Sequence, residues 1–190
     1  RASNGGSTYV HVVKLPGLQP NTVYHYQLVA QGTTSADYTF TTLVNPGTPF
    51  RFAWSADFRN GTAVHNQICD RIRLSHTSPR SPLFDLTGGD YAGDNTYANW
   101  TSQWLTSNEV ALERVMPVYL APGNHDGWAS GSNMQNFDQP PDSSGTSGYY
   151  SFDCGDLHVT VGNYQTTYTS GSAQWNWIQQ DVMNSLKPWK

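Results

Sequence analysis

The chain has 190 residues, a formal net charge of −4 and only 13% charged side chains. Without a run of Lys or Arg it lacks the footprint of a nucleic-acid binder, and no apolar stretch approaches the roughly 20 residues of a membrane-spanning helix. The length suits one ordinary domain, or a smaller domain with part of another. An abundance of Ser, Thr, Asn, Gly, Trp and Tyr beside so few charges points to a secreted, extracellular protein. The chain begins at Arg1 without an initiator Met or an apolar leader, so any signal peptide is expected to have been removed or to lie outside it.

Residues 9–42 alternate with a period of two: Val10, Val12 and Leu15, then Val23, Tyr24, Tyr26 and Leu28, then Tyr38 and Phe40. Turn chemistry at Pro16-Gly17, Pro20-Asn21 and Gln31-Gly32 divides them into three expected strands. Leu18, Pro20, Thr22, Tyr24 and Tyr26 resemble the last strands of a fibronectin type III domain, tyrosine corner included. Such a sandwich has about seven strands, so the chain is expected to start inside it. His11 and His25 are expected on half-buried strands with no functional role. The expected division is residues 1–43 as partial β-sandwich, 44–49 as a Pro- and Gly-bearing linker, and 50–190 as a second domain.

The second domain opens with an apolar strand over residues 50–56. Val64, Ile68 and Ile72 then recur at helical spacing, with Cys69 on a nearby face, predicting an amphipathic helix over 62–75 that packs on a sheet. A strand over 83–87 follows. Tyr97, Trp100 and Trp104 recur at three and four, and Val110, Leu112 and Val115 carry a second helical stretch to a strand over 117–121. The order β-α-β-α-β implies a parallel sheet with right-handed crossovers. Residues 127–148, rich in Ser, Gly, Asp, Asn and Pro, are too long for a bland connection and are expected either to cover a site and shape its substrate pocket or to be simply mobile. A hairpin-like pair over 149–153 and 157–161 leads to a helix over 173–186, capped near Ser172. His158 lies inside a strand and is expected to be a packed or edge histidine.

Each of the three parallel strands stops at a polar cluster: Asp57, then Gly89-Asp90, then Gly123-Asn124-His125-Asp126. Carboxylates converging at one sheet edge raise each other's pKa unless a cation sits between them, and a metal ion is the simplest such cation. A phosphate-binding loop at residues 88–93 is excluded because no Gly-Lys-Ser/Thr follows.

In that order after successive strands, these residues resemble the calcineurin-like metallophosphoesterases, and most of all the branch of the purple acid phosphatases. The segments YYSFDCGDLHVTVGN and QWNWIQQDV share the likeness. The resemblance implies an α/β fold, the first half of a metallophosphoesterase αββα sandwich behind the end of a β-sandwich. It implies a metal-dependent phosphoric ester hydrolase with two divalent or trivalent ions of iron, zinc or manganese. Asp90 would bridge the ions, Asp57 would serve the first and Asn124 the second. His125 would steady the transition state or protonate the leaving alkoxide.

Two departures touch the first metal. The family's His two residues after the first Asp is here Arg59, which could bind the phosphate of an ester substrate or replace the metal's charge. The family's Tyr three residues after the second Asp is here Gly93, the nearest tyrosine being Tyr91, so no tyrosinate-to-iron colour is expected. The His ligands of the family's later motifs are expected beyond Lys190. The alternative is a secreted scaffold or binding protein with a degenerate phosphoesterase fold, whose open strand edges could pair with another chain. Asn60 and Asn99 head the glycosylation sequons Asn-Gly-Thr and Asn-Trp-Thr. Cys69 and Cys154 leave two readings open, a disulfide or two buried thiols.

Overall fold

A computed structural model of the chain describes residues 2–3, 9–78, 81–127 and 148–190. The expected loop over 127–148 lies, but for its two ends, outside the described residues.

The N-terminal part is all β. Strands β1 (Ala2–Ser3) and β2 (Tyr9–Val10) pair with each other, as do β3 (Val23–Tyr26) and β6 (Tyr38–Thr41). Between them β4 (Val29–Ala30) and β5 (Thr33–Thr34) form a two-residue-per-strand hairpin. The β3–β6 ladder places Tyr24 opposite Phe40 and Tyr26 opposite Tyr38, and the aromatic rings meet on one face, Tyr24 stacking on Phe40 at 5.9 Å. Tyr24 Oη accepts the Gln19 N–H at 2.9 Å, the backward bond that a tyrosine corner makes. The strand expected through Val12 and Leu15 does not form beyond Val10. Residues 11–15 are exposed and carry no ladder, because alternation without a partner strand leaves apolar side chains with nothing to cover. His11 is therefore in no strand, and His25 is exposed and paired with Asp37 at 2.7 Å.

The second part is built on a three-stranded parallel sheet in the order β7 (Ala53–Ser55), β8 (Asp85–Thr87), β9 (Val118–Leu120). Ser55, Thr87 and Leu120 are in register at its carboxyl end. Helix α1 (Thr62–Leu74) crosses from β7 to β8, with Arg71 and Arg73 in the last turn where a cation suits the helix dipole. From β8 to β9 the chain runs through a short turn of helix α2 (Tyr97–Asn99), a π-helical turn (Trp100–Trp104) and α3 (Ser107–Glu113). Trp100 and Trp104 are buried with Phe58, Tyr91, Ala92 and Leu120 in one cluster, whereas Tyr97 is exposed.

The face that α1 buries is one residue off the predicted one. Val64 and Ile68 are 61% and 38% exposed, while His65 and Cys69 are buried. Leu112, Met116 and Ile72 pack around Cys69. The hairpin β10 (Tyr150–Cys154) and β11 (Leu157–Val161) turns at Gly155, and α4 (Ala173–Asn184) is capped by Ser172, which accepts the Trp175 N–H. Both cysteines are buried and free, so the thiol reading stands and the disulfide reading falls. His158 is buried between Asp153 and Asp181, at 2.7 and 2.9 Å.

Candidate functional site

The carboxyl edge of the parallel sheet carries three loops, and their backbones are bound to one another. Asp57 N–H donates to Gly89 O at 3.1 Å, and Arg59 N–H to Asp90 O at 3.0 Å, joining the loops after β7 and β8. Asp57 and Asp90 both take φ of 59°, the left-handed region that short polar side chains tolerate best. Gly89 has φ +90°, and a Cβ there would stand 2.5 Å from Gly123 N. The loops after β8 and β9 thus pass backbone against backbone, which only glycine permits.

Asp126, buried, fastens that crossing. Its Oδ2 accepts N–H bonds from Asp90 (2.9 Å) and Gly123 (2.7 Å), and its Oδ1 accepts one from Tyr91 (2.9 Å). Burial pushes the Asp126 carboxyl above its ordinary value, while the three backbone donors work against that rise. Asp126 closes the Gly-Asn-His-Asp run and has no part in the ligand set expected from the sequence. Two of its three donors, Asp90 and Tyr91, come from the loop after β8, so no local signal marks that role.

Asp90 is buried at the centre of the edge. His125 N–H donates to its Oδ1 at 3.2 Å, and Arg59 Nε lies 3.2 Å from its Oδ2. Gly93 O sits 2.8 Å from His125 Nδ1, so that nitrogen carries a proton and Nε2 is left for other partners. Gly93 is itself held by the Gln103 side chain at 2.8 Å. The position where a metal-binding tyrosine was considered is therefore a backbone anchor for His125. Tyr91 turns into the core, its hydroxyl shared with Thr87 (2.7 Å) and donated to Ala121 O (3.0 Å). Asn124, between the tethered Gly123 and His125, is exposed, as is Asp57. Gln165, from the segment after β11, donates to Gly123 O at 2.7 Å, another contact absent from the sequence reading.

Asp57, Arg59, Asp90, Asn124 and His125 thus all lie at one sheet edge. The donors they offer are two carboxylates and an amide, hard oxygens that suit a divalent or trivalent cation. As a donor set they fit a metal ion, and the Arg59 guanidinium holds one of the oxygens, Asp90 Oδ2. Of the sequon residues, Asn60 is exposed and Asn99 partly so.

A family model described as the purple acid phosphatase N-terminal domain matches residues 1–42. Purple acid phosphatases 13, 15 and 21 of Arabidopsis thaliana are 24%, 26% and 27% identical over 98%, 98% and 95% of this chain. The chain spans less than half the length of these relatives, 42%, 41% and 42%. Among solved structures, a purple acid phosphatase from yellow lupin (Lupinus luteus) seeds superposes with a TM-score of 0.69 at 20% identity, over 88% of this chain and 34% of that one. PhoD superposes at 0.55 with 14% identity, over 89% and 46%. A β-rich N-terminal part, a parallel sheet with ligand-type residues at its carboxyl edge and relatives along nearly the whole chain agree: this is a purple acid phosphatase-like chain with the metallophosphoesterase fold and the N-terminal domain of that family.

Proposed function

We propose that the chain carries part of the active site of a metal-dependent phosphoric ester hydrolase. The observation that carries the reading is the convergence of Asp57, Asp90, Asn124, His125 and Arg59 at one edge, with Asp90 bonded to both Arg59 and His125. The alternative of an inactive scaffold gains no support from these relatives, which are named as phosphatases. The likeness implies two ions of iron, zinc or manganese. Asp57, Asp90 and Asn124 would supply oxygen ligands to them, and Arg59 stands on one oxygen of the Asp90 carboxylate. A bound ion supplies Lewis acidity toward a phosphoryl oxygen and lowers the pKa of its water.

The chain's own residues supply positioning. Arg59, about a third exposed, presents its remaining N–H groups to solvent, where a phosphate can take them in a bidentate contact. His125, its Nδ1–H spent on Gly93 O, offers Nε2 to hold or pass a proton at the leaving oxygen. The same reading takes residues 1–43 as a partial fibronectin III-like sandwich, 44–49 as linker and 50–190 as the first half of the phosphoesterase domain. It places the protein outside the cell with glycans at Asn60 and Asn99. No helix among the described residues is long and apolar enough to cross a membrane.

The test is hydrolysis of para-nitrophenyl phosphate with metal content measured on the same samples. Asp90→Asn is expected to lose at least about 100-fold in kcat/KM together with bound metal, and Arg59→Met to raise KM about 10-fold. Full activity and unchanged metal in Asp90→Asn would sink the reading.

A further inference from the structure

Helix α3 opens with Thr106-Ser107-Asn108-Glu109, and Thr106 Oγ1 accepts the Glu109 N–H at 3.3 Å. A glutamate in that slot ordinarily reaches back to the N–H of the cap residue. Glu109 instead turns inward and is 1% exposed. Its Oε2 lies 2.9 Å from His65 Nε2 and accepts the Cys69 S–H at 2.9 Å. His65 and Cys69, four apart on α1, share one helix face. His65 Nδ1 lies 3.1 Å from Gln103 O and donates to it, which makes Nε2 the nitrogen turned to the carboxylate. One nitrogen, one sulfur and one carboxylate oxygen thus lie within 4.8 Å of one another in three buried side chains.

The negative charge gathered here is poorly answered. Among the described residues, the basic side chain paired with Glu109 is His65. Glu109 Oε1 and Asp85 Oδ1 are buried and receive no hydrogen bond from any described residue. Burial and then the charge of Glu109 push Asp85 up to about 7 and Glu113, one turn along α3, up to about 8. Three carboxyls and a thiol against one imidazole need either protons or a cation.

We propose that His65, Cys69 and Glu109 form a structural site for a divalent transition-metal ion of the zinc class, seated between α1 and α3. Nitrogen, sulfur and oxygen donors together are what zinc takes and what calcium and magnesium do not. On binding, the S–H bond breaks, its proton goes to solvent and a metal–sulfur bond forms. The thiolate and one carboxylate then balance the two charges of the ion. Asp85, whose Oδ1 is also buried and unpartnered, lies outside this ligand set. The His65 ring stacks on Trp104 at 5.0 Å and meets Phe58 at 4.9 Å, so the ion would brace the floor under the Asp57–Arg59 turn. This site contributes no donor to the strand-end cluster and stands apart from the hydrolase reading.

Cobalt(II) titration of the metal-free full chain tests it. The expected result is a thiolate-to-cobalt charge-transfer band that saturates at one equivalent, persists in Cys154→Ser and in Asp90→Asn, and is lost in Cys69→Ser. Glu109→Gln, which keeps shape, is expected to weaken cobalt binding at least about 10-fold. Zinc is expected to raise the melting midpoint of the unmodified chain. No thiolate band on the unmodified chain, with a midpoint unmoved by zinc, would mean a cluster held by protons only and would overturn the proposal. So would a band that survives Cys69→Ser and vanishes in Cys154→Ser.

Discussion

Replacing Asp126 by asparagine probes how the strand-end loops are held. The carboxamide keeps one acceptor oxygen and sets an NH2 group against N–H donors, where the carboxylate accepts from Asp90, Tyr91 and Gly123. The expected cost is roughly 3 kcal/mol, or about 6–12 °C in Tm for a chain of this size, checked by thermal and urea denaturation. The side chains that Asp126 positions were legible because each ends a strand at a Gly-flanked polar cluster. That Arg59 pairs with Asp90 was not, since the sequence offered the guanidinium either to a substrate phosphate or in place of a metal's charge. The structure places it on Asp90 Oδ2.

At the scale of elements, apolar periodicity located α1 and misjudged its buried face. Val64 and Ile68 repeat at helical spacing, yet the neighbour that α1 meets is the polar slot of Glu109, so His65 and Cys69 turn inward. A cluster of opposite polarity on two helices separated by dozens of residues leaves no trace in a hydrophobic pattern. On the opposite flank His158 ties β10, β11 and α4 together. Its burial disfavours the charged imidazole, but hydrogen bonds to Asp153 and Asp181 outweigh that and raise its pKa. Burial likewise works against the Asp181 charge, and bonds from Thr160, Ser151 and His158 outweigh it and lower that carboxyl. A raised imidazole stabilises fully below its ordinary value of 6.5 and loses the contribution as pH rises through the raised one. The lowered carboxyl contributes above its ordinary value of 3.8 and is lost only as pH falls through the lowered one. Stability from this junction is therefore expected to be greater at pH 6 than at pH 9. Melting curves of His158→Gln at the two pH values should show the difference shrink.

At the scale of the molecule, contacts among the described residues join the N-terminal strands and the linker to the parallel-sheet part. Tyr26 Oη donates to Arg114 O at 2.8 Å, the Arg114 guanidinium lies 5.2 Å over the Tyr38 ring, and Gly155 N–H donates to Val44 O at 2.9 Å. Arg114→Ala removes the cation–π contact and keeps the carbonyl, so it is expected to cost only about 0.5–1 kcal/mol and to leave the buried Trp100 and Trp104 fluorescence unchanged, as a denaturation series read by both signals would show. The carboxylate of Asp126 acts on a longer reach of chain, since its amide donors at Asp90 and Tyr91 stand 36 and 35 residues before it. The loops after β8 and β9 therefore cannot reach their final shape until the crossover between those strands is complete, and neither can relax alone afterwards. The amide protons of Asp90, Tyr91 and Gly123 are bound to a common fate: in deuterated water they are expected to exchange at one shared rate, that of the whole edge opening at once.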